Sequence, residues 1–100
     1  MNLNGLDVAD EQIAAYCRRN RIKELSVFGS VLRSDFRADS DIDLLIEFMP
    51  EARVGLIAFS RMQRELSAII GRPVDLVPKD GLKPYIRQAV LDSSRIVYAA

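Results

Sequence analysis

Histidine is absent from this 100-residue sequence, and cysteine occurs once, at Cys17. Without histidine the chain has no imidazole general base, no Ser-His-Asp triad and no zinc site that uses histidine. A single cysteine excludes an internal disulfide and a zinc site built from several cysteines. Any chemistry must therefore come from carboxylates, arginines, hydroxyls and a bound ion.

An excess of basic charge and long apolar runs are missing as well. Fourteen Lys and Arg residues balance fourteen Asp and Glu residues, so no basic field holds nucleic acid and we expect no template strand as partner. No apolar run approaches the roughly 20 residues of a membrane span, and residues 1–11 do not have the pattern of a secretory signal. With 49% apolar and 28% charged residues, the composition is that of a folded protein. We expect one domain over residues 1–100, cytoplasmic and without membrane contact.

Hydrophobic periodicity and turn residues predict alternating helices and strands. The predicted helices are residues 8–20, 54–70 and 83–92, with a helical turn at 30–35 and a loop at 36–40. The predicted strands are residues 24–28, 41–48, 74–77 and 96–98, the last at a sheet edge. This order indicates a two-layer α/β (α+β) domain with a mixed sheet of about four strands. Right-handed crossovers should carry the helices mainly onto one face.

Two aspartates lie two residues apart in the clearest predicted strand. Ile42, Leu44, Ile46 and Phe48 form its apolar face, whereas Asp41 and Asp43 belong to the opposite, open face. Residues i and i+2 of a strand are about 6.5–7 Å apart on one face, so both carboxylates can converge on one or two divalent ions. The alternative is that Asp41 only begins the strand and Asp43 is merely exposed.

A third acid strengthens the case for a metal site. Asp75 stands between Val74 and Leu76 in a short strand, and it shares the open face with Asp41 and Asp43 if the two strands are neighbours. Neither strand contains a Lys or Arg that could neutralise three carboxylates. A hard cation with oxygen ligands, such as Mg²⁺, fits this set.

A glycine and a serine follow the first predicted sheet strand directly. Gly29 permits close approach of a phosphate, and the backbone N–H groups of a helical turn beginning at Ser30 favour negative charge. Arg33, three residues later, shares that face of the turn and can reach a phosphate. The alternative is that Gly29 and Ser30 only form a turn.

Together these residues carry a resemblance to a known family. Gly29-Ser30, ten intervening residues and Asp41-Ile42-Asp43 resemble the Gly-Ser-x10-Asp-x-Asp signature of the DNA polymerase β-like nucleotidyltransferase superfamily. The stretch FGSVLRSDFRADSDIDLLIEF is similar to the minimal nucleotidyltransferases (MNT proteins), which are commonly paired with HEPN partners as antitoxins. One departure is Ser34, where many relatives have glycine after the arginine.

The resemblance implies a nucleotidyltransferase fold and the transfer of a nucleoside monophosphate, with ATP as donor, to a hydroxyl. It implies that Asp41, Asp43 and Asp75 bind the catalytic Mg²⁺, two ions in all, and that Asp75 assists deprotonation of the hydroxyl. Gly29 and Ser30 then hold the nucleotide phosphates, with Arg33 as a supporting contact. Because the predicted elements leave no segment for an acceptor domain, we expect the acceptor to bring its own recognition surface, as a folded partner protein would. The resemblance implies that this partner is a HEPN-domain toxin bound in a hetero-oligomer.

Three other functions stay open: a non-catalytic module that neutralises the toxin by covering it, nucleotidyl transfer to a small molecule such as an aminoglycoside, and an unrelated α/β domain. Candidate partner contacts are two groups, the arginines Arg18, Arg19 and Arg21, and the C-terminal residues Tyr85, Ile86, Val90 and Tyr98. The alternatives are that the arginines only complement the negative end of a helix, and that residues 85, 86 and 90 pack the last helix onto the sheet.

Overall fold

The computed structural model describes residues 2–3, 6–7, 10–33, 37 and 39–100. Its strands and α-helices, in chain order, are β1 (Asn2–Leu3), β2 (Leu6–Asp7), α1 (Asp10–Arg19), β3 (Ile22–Phe28), β4 (Ile42–Phe48), α2 (Leu56–Ile70), β5 (Val74–Pro78), α3 (Pro84–Ser93) and β6 (Arg95–Ala99). Short 3₁₀ helices follow β3 and β5, at Gly29–Leu32 and Lys79–Gly81. The predicted helical turn is confirmed over the first of these, while Ser34 and Asp35 lie outside the described residues, as do parts of the predicted loop at 36–40.

The main sheet has four strands in the order β5-β4-β3-β6. β3 runs antiparallel to both β4 and β6, whereas β4 and β5 are parallel. This confirms the predicted mixed sheet and the edge position of the last strand. β1 and β2 form a separate antiparallel pair that was not predicted, because two-residue strands carry no alternating pattern.

The core lies between one face of the sheet and the helices α1 and α2. Each helix turns residues at helical spacing inward: Ile13, Tyr16 and Cys17 from α1 and Met62, Leu66 and Ile70 from α2. They pack against the alternate apolar residues of β3, β4 and β5. A slip of one residue in any strand would expose these apolar side chains, so the core fixes the register of the sheet.

The second face of the sheet is less open than predicted. Leu45 lies on this face, yet only 2% of it is exposed, and its register partner Ser26 is buried to the same degree. Leu45 is in a central strand with Ser26 on one side and Val77 on the other. The middle of this face is therefore closed, and its polar chemistry is confined to the two ends of the strands.

The C-terminal helix α3 is more exposed than the alternative in which residues 85, 86 and 90 pack it onto the sheet. Tyr85 is 79% exposed and Ile86 is 39% exposed, and α3 contains no fully buried residue. The proposed packing of Tyr85 on the sheet is therefore wrong, because the residue lies in the first turn of α3 with its side chain in solvent. Tyr98 of β6, by contrast, packs against the core.

The basic residues Arg18 and Arg19 lie at the C-terminal end of α1, where the helix-end explanation puts them. Arg18 and Arg19 occupy the last turn of α1, and the guanidinium of Arg19 lies 5.6 Å from the ring centre of Tyr16. Arg21 forms an exposed ion pair with Glu51 at 3.3 Å. None of the helices in the described part of the chain has the length and apolar character to cross a membrane.

We predict that the Cys17 thiol is unreactive in the folded protein. Burial raises its pKa from 9.0 to about 12, so at pH 8 the thiolate is about a thousandfold rarer than at an ordinary cysteine. Reaction with a disulfide reagent should be at least about a hundredfold slower in native protein than in guanidinium-unfolded protein. Fast reaction of the native protein would contradict the burial of α1 against the sheet.

Candidate active site

Asp43 and Asp75 lie side by side on adjacent parallel strands. The register pairs Asp43 of β4 with Asp75 of β5, flanked by the pairs Ile42–Val74 and Leu44–Leu76. Neighbouring strands are about 4.8 Å apart, and residues in register share a face. Because the flanking pairs are buried in the core, both aspartates must point to the other side. The predicted neighbourhood of the two acidic strands is thereby confirmed.

Side chains of α2 hold the edge strand that carries Asp75. The hydroxyl of Ser67 accepts a hydrogen bond from the Val74 N–H at 3.0 Å, and the side-chain oxygen of Gln63 accepts one from the Leu76 N–H at 2.9 Å. These two bonds lie on either side of Asp75. They satisfy edge N–H groups that would otherwise need water, and they fix the backbone from which the carboxylate projects.

Asp41 precedes β4 and is exposed. The next residue, Ile42, begins the strand, and its N–H donates a hydrogen bond to the carbonyl of Pro73 at 2.8 Å. Asp41 is near enough to Asp43 to act on its ionisation. The structure therefore brings Asp41, Asp43 and Asp75 to one end of the parallel strands.

The pKa of Asp43 is raised above its ordinary value of 3.8. Burial is the largest cause, followed by the negative charges of Asp75 and Asp41, while the positive charge of Arg33 acts in the opposite direction. A carboxylate that is partly removed from water and faces two others is poorly compensated by the protein alone. Such a site favours a cation.

Gly29 lies directly against Asp43. It follows Phe28, the register partner of Asp43, and it has a positive φ of 77°. A side-chain carbon at this position would overlap Oδ2 of Asp43. Position 29 therefore requires glycine for two reasons, the left-handed backbone conformation and the space that the Asp43 carboxylate occupies.

The other predicted phosphate contacts follow Gly29 in the 3₁₀ helix. The backbone of Ser30 belongs to this helix, and Arg33 comes just after its end and is exposed. The effect of Arg33 on the Asp43 pKa places its positive charge near the carboxylates. The 3₁₀ helix, Arg33 and the three carboxylates thus lie in one region of the structure.

The donor set suits a hard divalent ion, although the carboxylates are not already gathered around one point. Carboxylate oxygens are the ligands that Mg²⁺ and Mn²⁺ prefer. In the described ranges, no three acidic or cysteine side chains form a ready-made metal cluster. Asp41 and Asp75 are exposed, so their side chains are free to turn toward a shared ion without repacking the core.

Arg72 contacts Arg37 and Ser40, which precede Asp41, and no motif in the sequence indicates this role. Its guanidinium donates hydrogen bonds to the carbonyl oxygens of Arg37 and Ser40. The sequence signal was only a basic residue between Gly71 and Pro73, a position explained by the end of α2. Hydrogen bonds to backbone carbonyls cannot be predicted from residue types, because every residue has a carbonyl group.

A cavity of about 790 Å³ lies at the opposite end of the same strands. It is lined mainly by apolar residues around the start of α2, together with Glu47, Lys79 and Arg87. Glu47 is four residues beyond Asp43, or roughly 13 Å along the strand. Size alone would favour this cavity as the site. The aspartates are the better candidate for chemistry, because neighbouring carboxylates lie there on adjacent strands and the pKa of Asp43 is raised.

Comparison with known proteins identifies similar sequences. The sequence profile of the nucleotidyltransferase domain family matches residues 10–97. The protein adenylyltransferase MntA of Thermococcus cleftensis is 40% identical over 70 residues, which span 70% of this chain and 69% of that protein.

Solved structures with the same fold were found as well. A chain assigned as a minimal nucleotidyltransferase aligns with a TM-score of 0.74 at 35% identity over 95% of each chain. The structure of a tri-AMPylated Shewanella oneidensis HEPN toxin in complex with an MNT antitoxin aligns with a TM-score of 0.65 at 19% identity, covering 91% of this chain and 70% of that one. The second likeness shows the fold alone.

We predict that Gly29→Ala destabilises the protein more than Gly71→Ala does. Both glycines have positive φ, 77° and 81°, but a side-chain carbon at Gly71 meets nothing within 4 Å. Gly71→Ala should lose about 1–2 kcal/mol from backbone strain, and Gly29→Ala about 1 kcal/mol more because Asp43 must move. Urea denaturation of both variants measures the difference. Equal losses would mean that Asp43 does not pack on Gly29.

We predict that Asp43→Asn leaves the metal-free protein at least as stable as the wild type at pH 7. A raised folded-state pKa means that stability is fully present at low pH and falls as pH rises through that pKa. The advantage of asparagine should therefore shrink toward zero as pH falls to about 4 and below. Urea denaturation with EDTA at both pH values, with the exposed Asp80→Asn as control, tests this. A clear loss of stability at pH 7 would contradict it.

Proposed function

This chain belongs to the nucleotidyltransferase domain family and is a minimal nucleotidyltransferase, and from this we propose that it transfers AMP from ATP to a hydroxyl of a HEPN-type toxin, acting as the antitoxin of the pair. The pairing of Asp43 with Asp75 beside Gly29 is the observation that carries the proposal. The names of its relatives support the adenylyl group and the protein acceptor.

In this proposal, Asp41, Asp43 and Asp75 hold Mg²⁺ through their carboxylate oxygens. Bound Mg²⁺ would neutralise the charge that develops on the attacking and leaving oxygens. The backbone of Gly29 and Ser30 holds the β- and γ-phosphates, and Arg33 adds a positive charge beside them. These groups act by positioning and charge neutralisation, so the absence of histidine is no obstacle.

The bond changes balance with the groups at hand. The acceptor hydroxyl oxygen forms a bond to the α-phosphorus of ATP, and the bond from that phosphorus to the bridging oxygen of pyrophosphate breaks. Asp75 accepts the hydroxyl proton. It is exposed on the edge strand β5, where a partner protein can reach it.

A second candidate function is neutralisation by binding alone. Three large apolar side chains stand out in solvent, Leu56 at 89% exposed, Ile57 at 87% and Tyr85 at 79%. Leu56 and Ile57 are neighbours at the start of α2, and contiguous exposed apolar patches are typical of surfaces that contact another protein. The arginines at 18, 19 and 21 stay a predicted rim for such a contact.

We predict that Asp41→Asn, Asp43→Asn and Asp75→Asn each reduce AMP transfer by at least about 100-fold. Each change removes a charged metal ligand. Ser30→Ala should reduce transfer less, because the backbone N–H groups remain. Incubation with the partner and labelled ATP, followed by intact-mass analysis, measures transfer. Exposed Asp80→Asn should behave like the wild type.

The same variants distinguish the two candidate functions. In the presence of Mg²⁺, ATP at a hundred times the Kd of ATP should raise the free energy of unfolding of the wild type by about 2.7 kcal/mol. The same addition should not stabilise the Asp41→Asn/Asp43→Asn double variant. If the double variant still neutralises the toxin as well as the wild type, binding alone accounts for the antitoxin effect. Wild-type transfer by any single aspartate variant in Mg²⁺ would overturn the metal assignment.

A further inference from the structure

We propose that Arg72 is a positioning residue for the metal site, because its guanidinium holds the backbone segment that carries Asp41. This inference rests on the proposed function and assigns a role to a residue outside the carboxylate set. Arg72 lies between Gly71, which caps the C-terminal end of α2, and Pro73, the residue before β5. It is therefore attached to the strand of one aspartate and contacts the loop of another.

The contacts of Arg72 are directed at two backbone carbonyls. Nη2 donates to the carbonyl oxygen of Arg37 at 2.8 Å and to that of Ser40, the residue directly before Asp41. The side chain is half-buried and its Nε is fully buried. Charge-assisted hydrogen bonds of this kind are stronger than those between neutral groups.

The two residues whose carbonyls Arg72 contacts, Arg37 and Ser40, are also hydrogen-bonded to each other. The Ser40 N–H donates to the carbonyl of Arg37 at 3.0 Å, and the Arg37 N–H donates to the Ser40 hydroxyl at 3.0 Å. On the other side of Asp41, the Ile42 N–H donates to the carbonyl of Pro73 at 2.8 Å. Asp41 is thus fixed from both neighbours, and both bonds come from the adjacent residues Arg72 and Pro73.

Asp41 needs such support because it lies outside the strand pairings of the described residues. β4 begins at Ile42, and Asp41 is exposed beside the like charge of Asp43. Without a fixed backbone, repulsion would favour positions in which Asp41 turns away from the site. Groups that orient metal ligands typically change metal affinity or activity by 10–100-fold when they are removed.

Three variants separate positioning from general stability. Arg72→Met keeps an aliphatic side chain and removes the hydrogen-bond donors. Arg72→Lys keeps the positive charge but has fewer donors and lacks the planar guanidinium. Arg64→Met is the matched control, because Arg64 is exposed on α2 and its guanidinium donates a hydrogen bond to the Ser60 hydroxyl of the same helix at 3.1 Å. All three variants are compared with the wild type at a temperature at which each is folded.

Two measurements are made on these proteins. Amide hydrogen exchange at Ile42, without Mg²⁺ or ATP, reports the order of the segment. The Mg²⁺ concentration that gives half-maximal AMP transfer to the HEPN-type partner reports the site. For Arg72→Met we expect faster exchange at Ile42 and a Mg²⁺ midpoint raised by about 10–100-fold, with transfer recovering at saturating Mg²⁺. Arg72→Lys should fall between, and Arg64→Met should match the wild type.

Each other outcome is decisive. If Arg72→Met is folded and its Mg²⁺ midpoint equals that of the wild type, the positioning role is wrong even if its melting temperature falls, while the proposed function stands. An equal shift in Arg64→Met would also overturn the role. If the wild type transfers no AMP and Mg²⁺ with ATP does not raise its melting temperature, the proposed function fails, and the role of Arg72 toward the metal fails with it.

Discussion

Repulsion between two aspartates held side by side is the constraint on which the site depends. Two unit charges about 5 Å apart repel by about 3 kcal/mol at an effective dielectric constant of 20 and by less than 1 kcal/mol in water. Asp75 is exposed, so the true repulsion from Asp43 lies toward the lower value. Against it stand the four core residues of the flanking pairs, Ile42, Val74, Leu44 and Leu76. Burial of one such side chain contributes about 1.5–3 kcal/mol, so the core face maintains a pairing that the acidic face opposes.

Two like charges also lie side by side at the other end of the sheet, where a lysine neutralises them. Glu24 and Glu47 are also direct register partners on neighbouring strands. Nζ of Lys79 lies 3.5 Å from Glu24 and 3.3 Å from Glu47, so this like-charge pair has its own cation. At Asp43 the positive charge of Arg33 lowers the carboxyl pKa, but burial and the charges of Asp75 and Asp41 outweigh it, and the pKa stays raised. A lysine of the chain itself can neutralise two glutamates that have only a structural role. In a site that binds metal and nucleotide, the position beside the carboxylates must stay open for an exchangeable ion.

Residue patterns predicted the sheet and the placement of the acids because both follow from alternation along a strand. The apolar face of β4 fixes where Asp43 points, and Val74 and Leu76 do the same for Asp75. The pattern failed at Leu45 and Tyr85, since apolar character alone does not say whether a neighbouring element covers a residue. It also missed the hydrogen bonds of Gln63, Ser67 and Arg72 to backbone groups. Polar side chains on a helix or in a loop are ordinary in a sequence, and only the fold shows which backbone atoms they meet.

The strand order indicates from which side of the sheet the acceptor hydroxyl approaches in the proposed reaction. Gly29 and Arg33 follow β3, Asp43 lies on the next strand β4, and Asp75 lies on β5 at the edge. In-line transfer needs the leaving and attacking oxygens on opposite sides of the phosphorus. If the β- and γ-phosphates bind over the β3 end, pyrophosphate leaves on that side and the acceptor hydroxyl must approach from β5. Among the described residues, no further main-sheet strand lies beyond β5. A folded protein acceptor can therefore present its hydroxyl at this edge without displacing any element that holds the nucleotide.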